Sequence, residues 1–191
     1  MSKDSISKNY IFEAKDNNLL FVGDFEGLYK NDINPWGQDG SDPRLEKYYC
    51  YSRENIVTIL NQHYSKKKTL LEVGCGLGYV VDYFAKNSSF ICSGVDISKT
   101  AITKAKKIFK EYEFYCYDIQ KINSKKTYDV IILNQALWYV LEKFTDVFKN
   151  IYTMLNDDGI FVIVNAFTDT QNYGKNIIDG FGGLVQYIEN K

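Results

Sequence analysis

The amino-acid sequence predicts an α/β fold: a three-layer sandwich in which helices cover both faces of a mostly parallel, twisted sheet. From residue 69 onward, short β-rich apolar runs alternate with longer runs of helical periodicity, the pattern of parallel strands joined by crossover helices. The first apolar run leads directly into glycines at positions 74, 76 and 78, and a helical pattern starts near Tyr79, so strand passes to helix through a glycine-rich turn. Residues 1–68 lack this alternation and read as a lid segment followed by one helix, set over a core of residues 69–191. At 191 residues the chain reads as a single domain, large enough to bury a core without disulfides or a structural metal.

Taken in order, the first expected element is a hairpin over 10–14 and 19–22, closed by a Lys15-Asp16-Asn17-Asn18 turn and followed by a turn-rich stretch over 31–42. Asp42 then precedes Pro43, an N-cap residue followed by proline at the first helical position, so a helix should run to about His63. Leu45, Tyr49, Arg53, Ile56 and Leu60 share one stripe of that helix, which places a guanidinium on an apolar face. Such a charge needs a carboxylate partner or a path back to water. His63, at the end of the helix, reads as structural or solvated.

Strands are expected at 69–73, 90–95, 113–117, 130–133 and 160–165. Ser98 is a good N-cap, and Ala101, Ala105, Ile108 and Phe109 repeat after it at helical spacing while the lysines fall mostly elsewhere. Phe144, Val147, Phe148, Ile151 and Leu155 form a second such face before an Asp158-Gly159 turn into the last strand. The tail reads as helix over 176–188, interrupted by Gly180, Gly182 and Gly183.

Composition removes several function classes. The formal net charge is −1, and the basic residues are dispersed apart from Lys66-Lys67-Lys68, so no nucleic-acid footprint is visible. Cys50, Cys75, Cys92 and Cys116 form no C-x-x-C pair, which argues against a metal site and for reduced thiols in a cytoplasmic protein. The polar start and the lack of any apolar run of roughly 18 residues predict a soluble chain with no membrane partner.

The glycine spacing separates the nucleotide-binding loops. A G-x-G-x-x-G dinucleotide turn needs glycine at position 79, where this chain has Tyr79, and no Gly-Lys-Ser/Thr follows to make a P-loop. The pattern present, Glu72-x-Gly74-Cys75-Gly76-x-Gly78, resembles motif I of the class I S-adenosylmethionine (SAM) dependent methyltransferases, and the resemblance runs in register over residues 70–165. It implies a Rossmann-like core whose loop over Gly74, Cys75, Gly76 and Gly78 approaches SAM. Asp96 would accept the ribose hydroxyls, Asp118 the adenine amino group, and Ile97 and Ile119 would contact the adenine faces. An ionised carboxylate suits the ribose because it only accepts and can take two hydroxyls at once. Capping of strand-to-helix turns is the other reading of Asp96 and Asp118.

The resemblance further implies that Asn134 lies at the methyl-donor end, with Gln135, Trp138, Tyr139 and, from the lid, Trp36 near the acceptor; helix-terminal packing is the alternative for the first three. Arg53 would pair with the methionine carboxylate of SAM, or else with a carboxylate of the protein. The implied reaction is methyl transfer to an O or N atom of a small molecule, leaving S-adenosylhomocysteine (SAH). Asn134-Gln135-Ala136-Leu137 replaces the Asn-Pro-Pro-Phe of DNA amino-methyltransferases, and Pro-Cys is absent. Pro35-Trp36-Gly37-Gln38 and Tyr48-Tyr49 faintly resemble bacterial enzymes that modify nodulation factors, sugars and capsular polysaccharide, which suggests a sugar or phosphorylated metabolite used in surface polysaccharide. No His and no obvious acidic side chain follows the fourth strand at the methyl-donor end, so no catalytic base is assigned. A SAM-binding regulatory module is the alternative function, and aminopropyl transfer from decarboxylated SAM a further one. The family normally adds a sixth and seventh strand, and Lys191 comes before either, so either the sequence is a piece of a longer chain or the fifth strand forms an edge covered by the terminal helix or by a partner, such as a second copy in a homodimer.

Overall fold

The computed structural model describes residues 9–15, 18–64, 68–121 and 124–190. Five parallel strands form the central sheet: β3 (Thr69–Val73), β4 (Ile91–Asp96), β5 (Glu113–Cys116), β6 (Tyr128–Asn134) and β7 (Leu155–Val164), in the order β5-β4-β3-β6-β7. A two-stranded antiparallel hairpin, β1 (Phe12–Lys15) and β2 (Asn18–Phe21), precedes them. The helices are α1 (Phe25–Asn31), α2 (Pro43–His63), α3 (Tyr79–Asn87), α4 (Lys99–Ile108), the short α5 (Leu137–Val140), α6 (Phe144–Met154) and α7 (Gly180–Glu189).

Strand side chains alternate between two cores, as period-two geometry requires. Leu71, Ile131 and Leu133 face Leu137, Phe144, Val147 and Ile151 of α5 and α6. Leu70, Val130 and Ile132 face Ile56, Leu60, Val80, Phe84 and Ala105 of α2, α3 and α4. Adjacent residues of one strand thus serve opposite layers, which is why the strands read as unbroken apolar runs. Strand order reverses between β3 and β6, and the carboxyl ends of those strands flank the crevice where open α/β sheets bind ligands.

The caps anticipated from sequence are present. The Asp42 side chain accepts from Arg44 N with Pro43 in the first turn, and Ser98 accepts from Ala101 N. Leu45 departs from its expected stripe: it lies exposed, while Ser52 is buried beside Tyr49, Arg53, Ile56 and Leu60. The hairpin begins later than expected because Tyr10 and Ile11 are helical, and Asp16 and Asn17 of its turn lie outside the described residues, as do Lys66 and Lys67. The 31–42 stretch is preceded by a helix that the sequence reading did not contain, α1, capped by Asp24 accepting from Gly27 N. The Asp158-Gly159 turn falls inside β7, as an irregularity in its pairing with β6 where Asp158 takes φ 61°. The tail helix starts at Gly180, after the expected 176. Its Tyr187 packs on Phe144, with ring centroids 5.2 Å apart, and hydrogen-bonds Thr145. No strand follows β7 among the described residues, and no described helix is long and apolar enough to cross a membrane.

Candidate active site

The glycine loop turns because three of its residues adopt φ values that only glycine takes without strain: Gly74 at 75°, Gly76 at 52° and Gly78 at 84°. A Cβ at Gly76 would run into the Tyr29 hydroxyl, so the loop is also shaped by the lid above it. Gly74 N and Cys75 N donate to the Val95 carbonyl, which folds the loop onto the end of β4. There Asp96 accepts from Gly76 N at 2.9 Å and from Ser98 N at 2.8 Å, one bond to each carboxylate oxygen. Burial pushes the Asp96 carboxyl above the ordinary carboxylate range while these N–H groups pull it down. Each oxygen keeps a lone pair, so two further donors can be accommodated.

A cavity of about 330 Å³ opens at the carboxyl ends of the strands. Gly74, Asp96, Ile97, Asp118, Ile119 and Asn134 line it, together with Gln135, Trp138, Tyr139 and Trp36. Gln135 holds a left-handed backbone, φ 56°, fixed by its N–H to the Val164 carbonyl and by its side-chain oxygen, which accepts from Ala166 N. A strained non-glycine residue of this kind persists only where its surroundings over-determine it. Asp118 accepts from Gln120 N and pairs with Lys121 at 3.2 Å. Arg53, Glu72, Cys75, Gly76 and Gly78 are not among the lining residues.

Arg53 lies behind the wall at 4% exposure, its guanidinium 5.2 Å from the Tyr49 ring centroid and 5.6 Å from that of Tyr83. Its carboxylate partner, Glu46, stands at 4.0 Å, Gln38 O accepts at 3.5 Å, and Nε has no partner. The expected structural pair is therefore made at its outer limit, and the guanidinium is not saturated. Glu72 is 2% exposed with Oε2 unpartnered, and burial pushes its carboxyl up to about 8, against the pull of Arg53. Asn134 Oδ1 is likewise buried without a partner. Glu46 Oε2 and Asn165 Oδ1 are also buried without a hydrogen-bond partner. Buried polar atoms are normally satisfied, and of these five only Asn134 belongs to a residue that lines the cavity.

The N-terminal segment contributes Phe25 and Tyr29 of α1, to which no sequence motif points, and Gln38 from the Pro35-Trp36-Gly37-Gln38 stretch. Glu26 ties α1 down, its carboxylate accepting from Ser98 Oγ, Thr100 N and Thr100 Oγ1 at 2.7–3.0 Å, and these bonds hold its carboxyl at about 2. Lys104 Nζ returns the contact by donating to the carbonyls of Tyr29 and Asp32 at the far end of α1. The available signal was Asp24 followed by Glu26, an N-cap with an acid in the first turn. His63 lies exposed at the end of α2, and among the described residues no group of side chains could hold a metal ion.

Residues 71–161 match the family model of a methyltransferase domain. The chain is 33% identical over 114 residues to malonyl-[acyl-carrier protein] O-methyltransferase of Bacillus cereus, a match covering 56% of this chain and 42% of that protein. It is 26% identical over 161 residues to ubiquinone biosynthesis O-methyltransferase of Rickettsia felis, covering 81% of this chain and 65% of that one. Among solved structures, the SAM-bound amino pentose methyltransferase CalS10 of Micromonospora echinaspora superposes with a TM-score of 0.56 at 16% identity, over 62% of this chain and 51% of that one. The chain spans about two fifths of the length of the first curated relatives it matches, 42% in each of the two leading cases.

Proposed function

We propose that this chain, which matches a methyltransferase-domain family model over residues 71–161, is a class I SAM-dependent methyltransferase, that the cavity binds SAM and that the protein transfers a methyl group to an O or N atom of a small-molecule acceptor. The observation that carries this reading is Asp96: a buried carboxylate at the carboxyl end of β4, each oxygen held by one backbone N–H and free to accept once more, directly under a glycine loop. The same pair of bonds would cap any turn, but capping alone gives no reason for a cavity on its open side. In this reading Asp96 takes the ribose hydroxyls, Asp118 the adenine amino group, and Ile97 and Ile119 the adenine faces.

The donor set fits the other end of SAM as well. Its methionine moiety carries an ammonium and a carboxylate, and the orphaned atoms include acceptors on Glu72 and Asn134 and a donor on Arg53, of which Asn134 lines the cavity and Arg53 and Glu72 stand behind its wall. SAM supplies an electrophilic methyl group on a sulfonium; the work left to the chain is to hold the acceptor in line and keep water away, and positioning of this kind can supply a large part of a rate enhancement. Gln135, Trp138, Tyr139 and Trp36 would border the acceptor. The relatives are by name a malonyl-[acyl-carrier protein] O-methyltransferase and an O-methyltransferase of ubiquinone biosynthesis, and a sugar lies within our proposal.

Incubation with methyl-labelled SAM and a panel of amines, phenols, carboxylates and phosphate monoesters tests it, read as SAH release and label transfer. Transfer to any one class supports methyl transfer. SAM binding without transfer to any of them would leave a SAM-binding module in its place, and absence of binding would end both readings.

A further inference from the structure

The cavity walls contributed by the lid and α5 are of one chemical kind. The Phe25 and Tyr139 rings lie 5.2 Å apart and those of Trp36 and Tyr139 5.7 Å apart, so the three form a continuous surface. Tyr48 and Tyr49, 5.4 Å apart, and Trp138 extend it. The Tyr49 hydroxyl is occupied, donating to the Trp36 carbonyl at 2.7 Å.

Charge is distributed just as one-sidedly. Among the described residues, no Lys, Arg or His side chain lines the cavity, whose charged lining groups are the carboxylates of Asp96 and Asp118. Lys121 meets Asp118 with an 82% exposed side chain, and Arg53 sits behind Tyr49, outside the lining. With Asp96 and Asp118 taken up by the cofactor, an anionic acceptor would shed water against ring faces without gaining a cation, a costly burial. A cationic nitrogen, such as the ammonium that methyl transfer to an amine creates, would meet the negative faces of the rings, which attract positive charge.

We propose that this aromatic wall receives an acceptor bearing an amine nitrogen, and discriminates against phosphate and carboxylate acceptors. The inference rests on reading the cavity as a site of methyl transfer. The charge balance of the reaction agrees with it. As the neutral amine forms its N–C bond, the C–S bond breaks with its electron pair going to sulfur. One positive charge leaves the sulfonium, one appears on the new ammonium, and the ammonium gives its proton to water. The cavity holds a single cation before and after, and no resident base is called for, in keeping with a lining that offers no histidine and two aspartates engaged with backbone N–H groups.

The test is calorimetric titration of the full chain, saturated with SAH, with benzyltrimethylammonium, benzoate and benzyl phosphate near neutral pH. The cation should bind at least roughly tenfold tighter than either anion, the scale of a desolvated cation–π contact. Trp36→Leu and Tyr139→Leu should each erode that preference, with retained SAH binding marking a folded variant. Equal or tighter binding of benzoate or benzyl phosphate, no binding of the cation, or a preference untouched in folded variants would overturn the proposal. Failure of SAH itself to bind is a separate result, which removes the SAM site on which the proposal stands.

Discussion

Replacing Asp96 with alanine removes two things at once. The wild-type carboxylate anchors Gly76 N at 2.9 Å and Ser98 N at 2.8 Å, and in the proposed complex it also accepts from the ribose. Hydrogen bonds to a charged group contribute about 1.5–3 kcal/mol, so loss of the ribose contact alone should weaken SAM binding roughly 10- to 150-fold. The unanchored glycine loop adds to that figure, and the stability of the free protein registers it separately: with Gly76 N and Ser98 N left without their acceptor, the variant should melt lower even without ligand. Titration calorimetry with SAH, beside thermal denaturation of both proteins, separates the two contributions. Asp96→Asn sharpens the result, because an amide can accept from only one of the two N–H groups and must turn its NH₂ toward the other. An unchanged SAH affinity in Asp96→Ala would refute the reasoning, since it would mean that the ribose is held elsewhere and that the carboxylate only caps a turn.

Further outcomes follow from neighbouring residues. Arg53→Met should weaken SAH binding by an amount of the same order, about 1.5–3 kcal/mol, while leaving the affinity for adenosine, which has no carboxylate, nearly unchanged; equal losses for both ligands would assign Arg53 a purely structural role. Gly76→Ala combines a left-handed φ with a clash against Tyr29 and should cost roughly 1–3 kcal/mol in denaturant unfolding; a neutral effect would show that the lid gives way freely. Glu72 makes a pH prediction. Its carboxyl is raised from 4.5 to about 8 in the folded protein, so between those values the unfolded chain ionises while the folded chain holds its proton. Stability should therefore be greatest below this window and fall as pH rises through it, by up to about 1.4 kcal/mol per pH unit. Asp96, also raised, contributes with the same sign, and Glu72→Gln should flatten the slope of unfolding free energy against pH; a slope unaltered in that variant would contradict a protonated Glu72.

The parts of the site legible in the sequence are those whose chemistry is local. Gly74, Gly76 and Gly78 announce a turn because no other residue takes their φ values freely, and Asp42-Pro43 and Ser98 announce helix starts through their own hydrogen-bonding and ring constraints. Asp96 closes β4 as its apolar run predicts, whereas Asp118 lies two positions past the end of β5, and the roles expected of both come from the resemblance. What escaped was long-range. α1 is seven residues long, too short for a helical period to show, and its position over the site is fixed by Glu26 meeting Ser98 and Thr100 more than 70 positions away. The aromatic wall was only partly visible for the same reason: Phe25, Trp36, Tyr49 and Tyr139 lie on four different segments, and nothing in their spacing says that they meet. Asp158 and Gly159 carry turn chemistry, which predicts a turn before the strand; β7 instead runs through them with an irregular register against β6.

Thermal denaturation with and without ligand tests the central claim most directly, because only a ligand that binds the native state raises the melting temperature. SAM or SAH at about a hundred times its dissociation constant stabilises by about 2.7 kcal/mol, which for a chain of this size corresponds to a rise of roughly 5–10 °C. The proposed site predicts that rise with SAM and SAH and none with NAD at the same concentration. No rise with either SAM or SAH, or an equal rise with NAD, would contradict it.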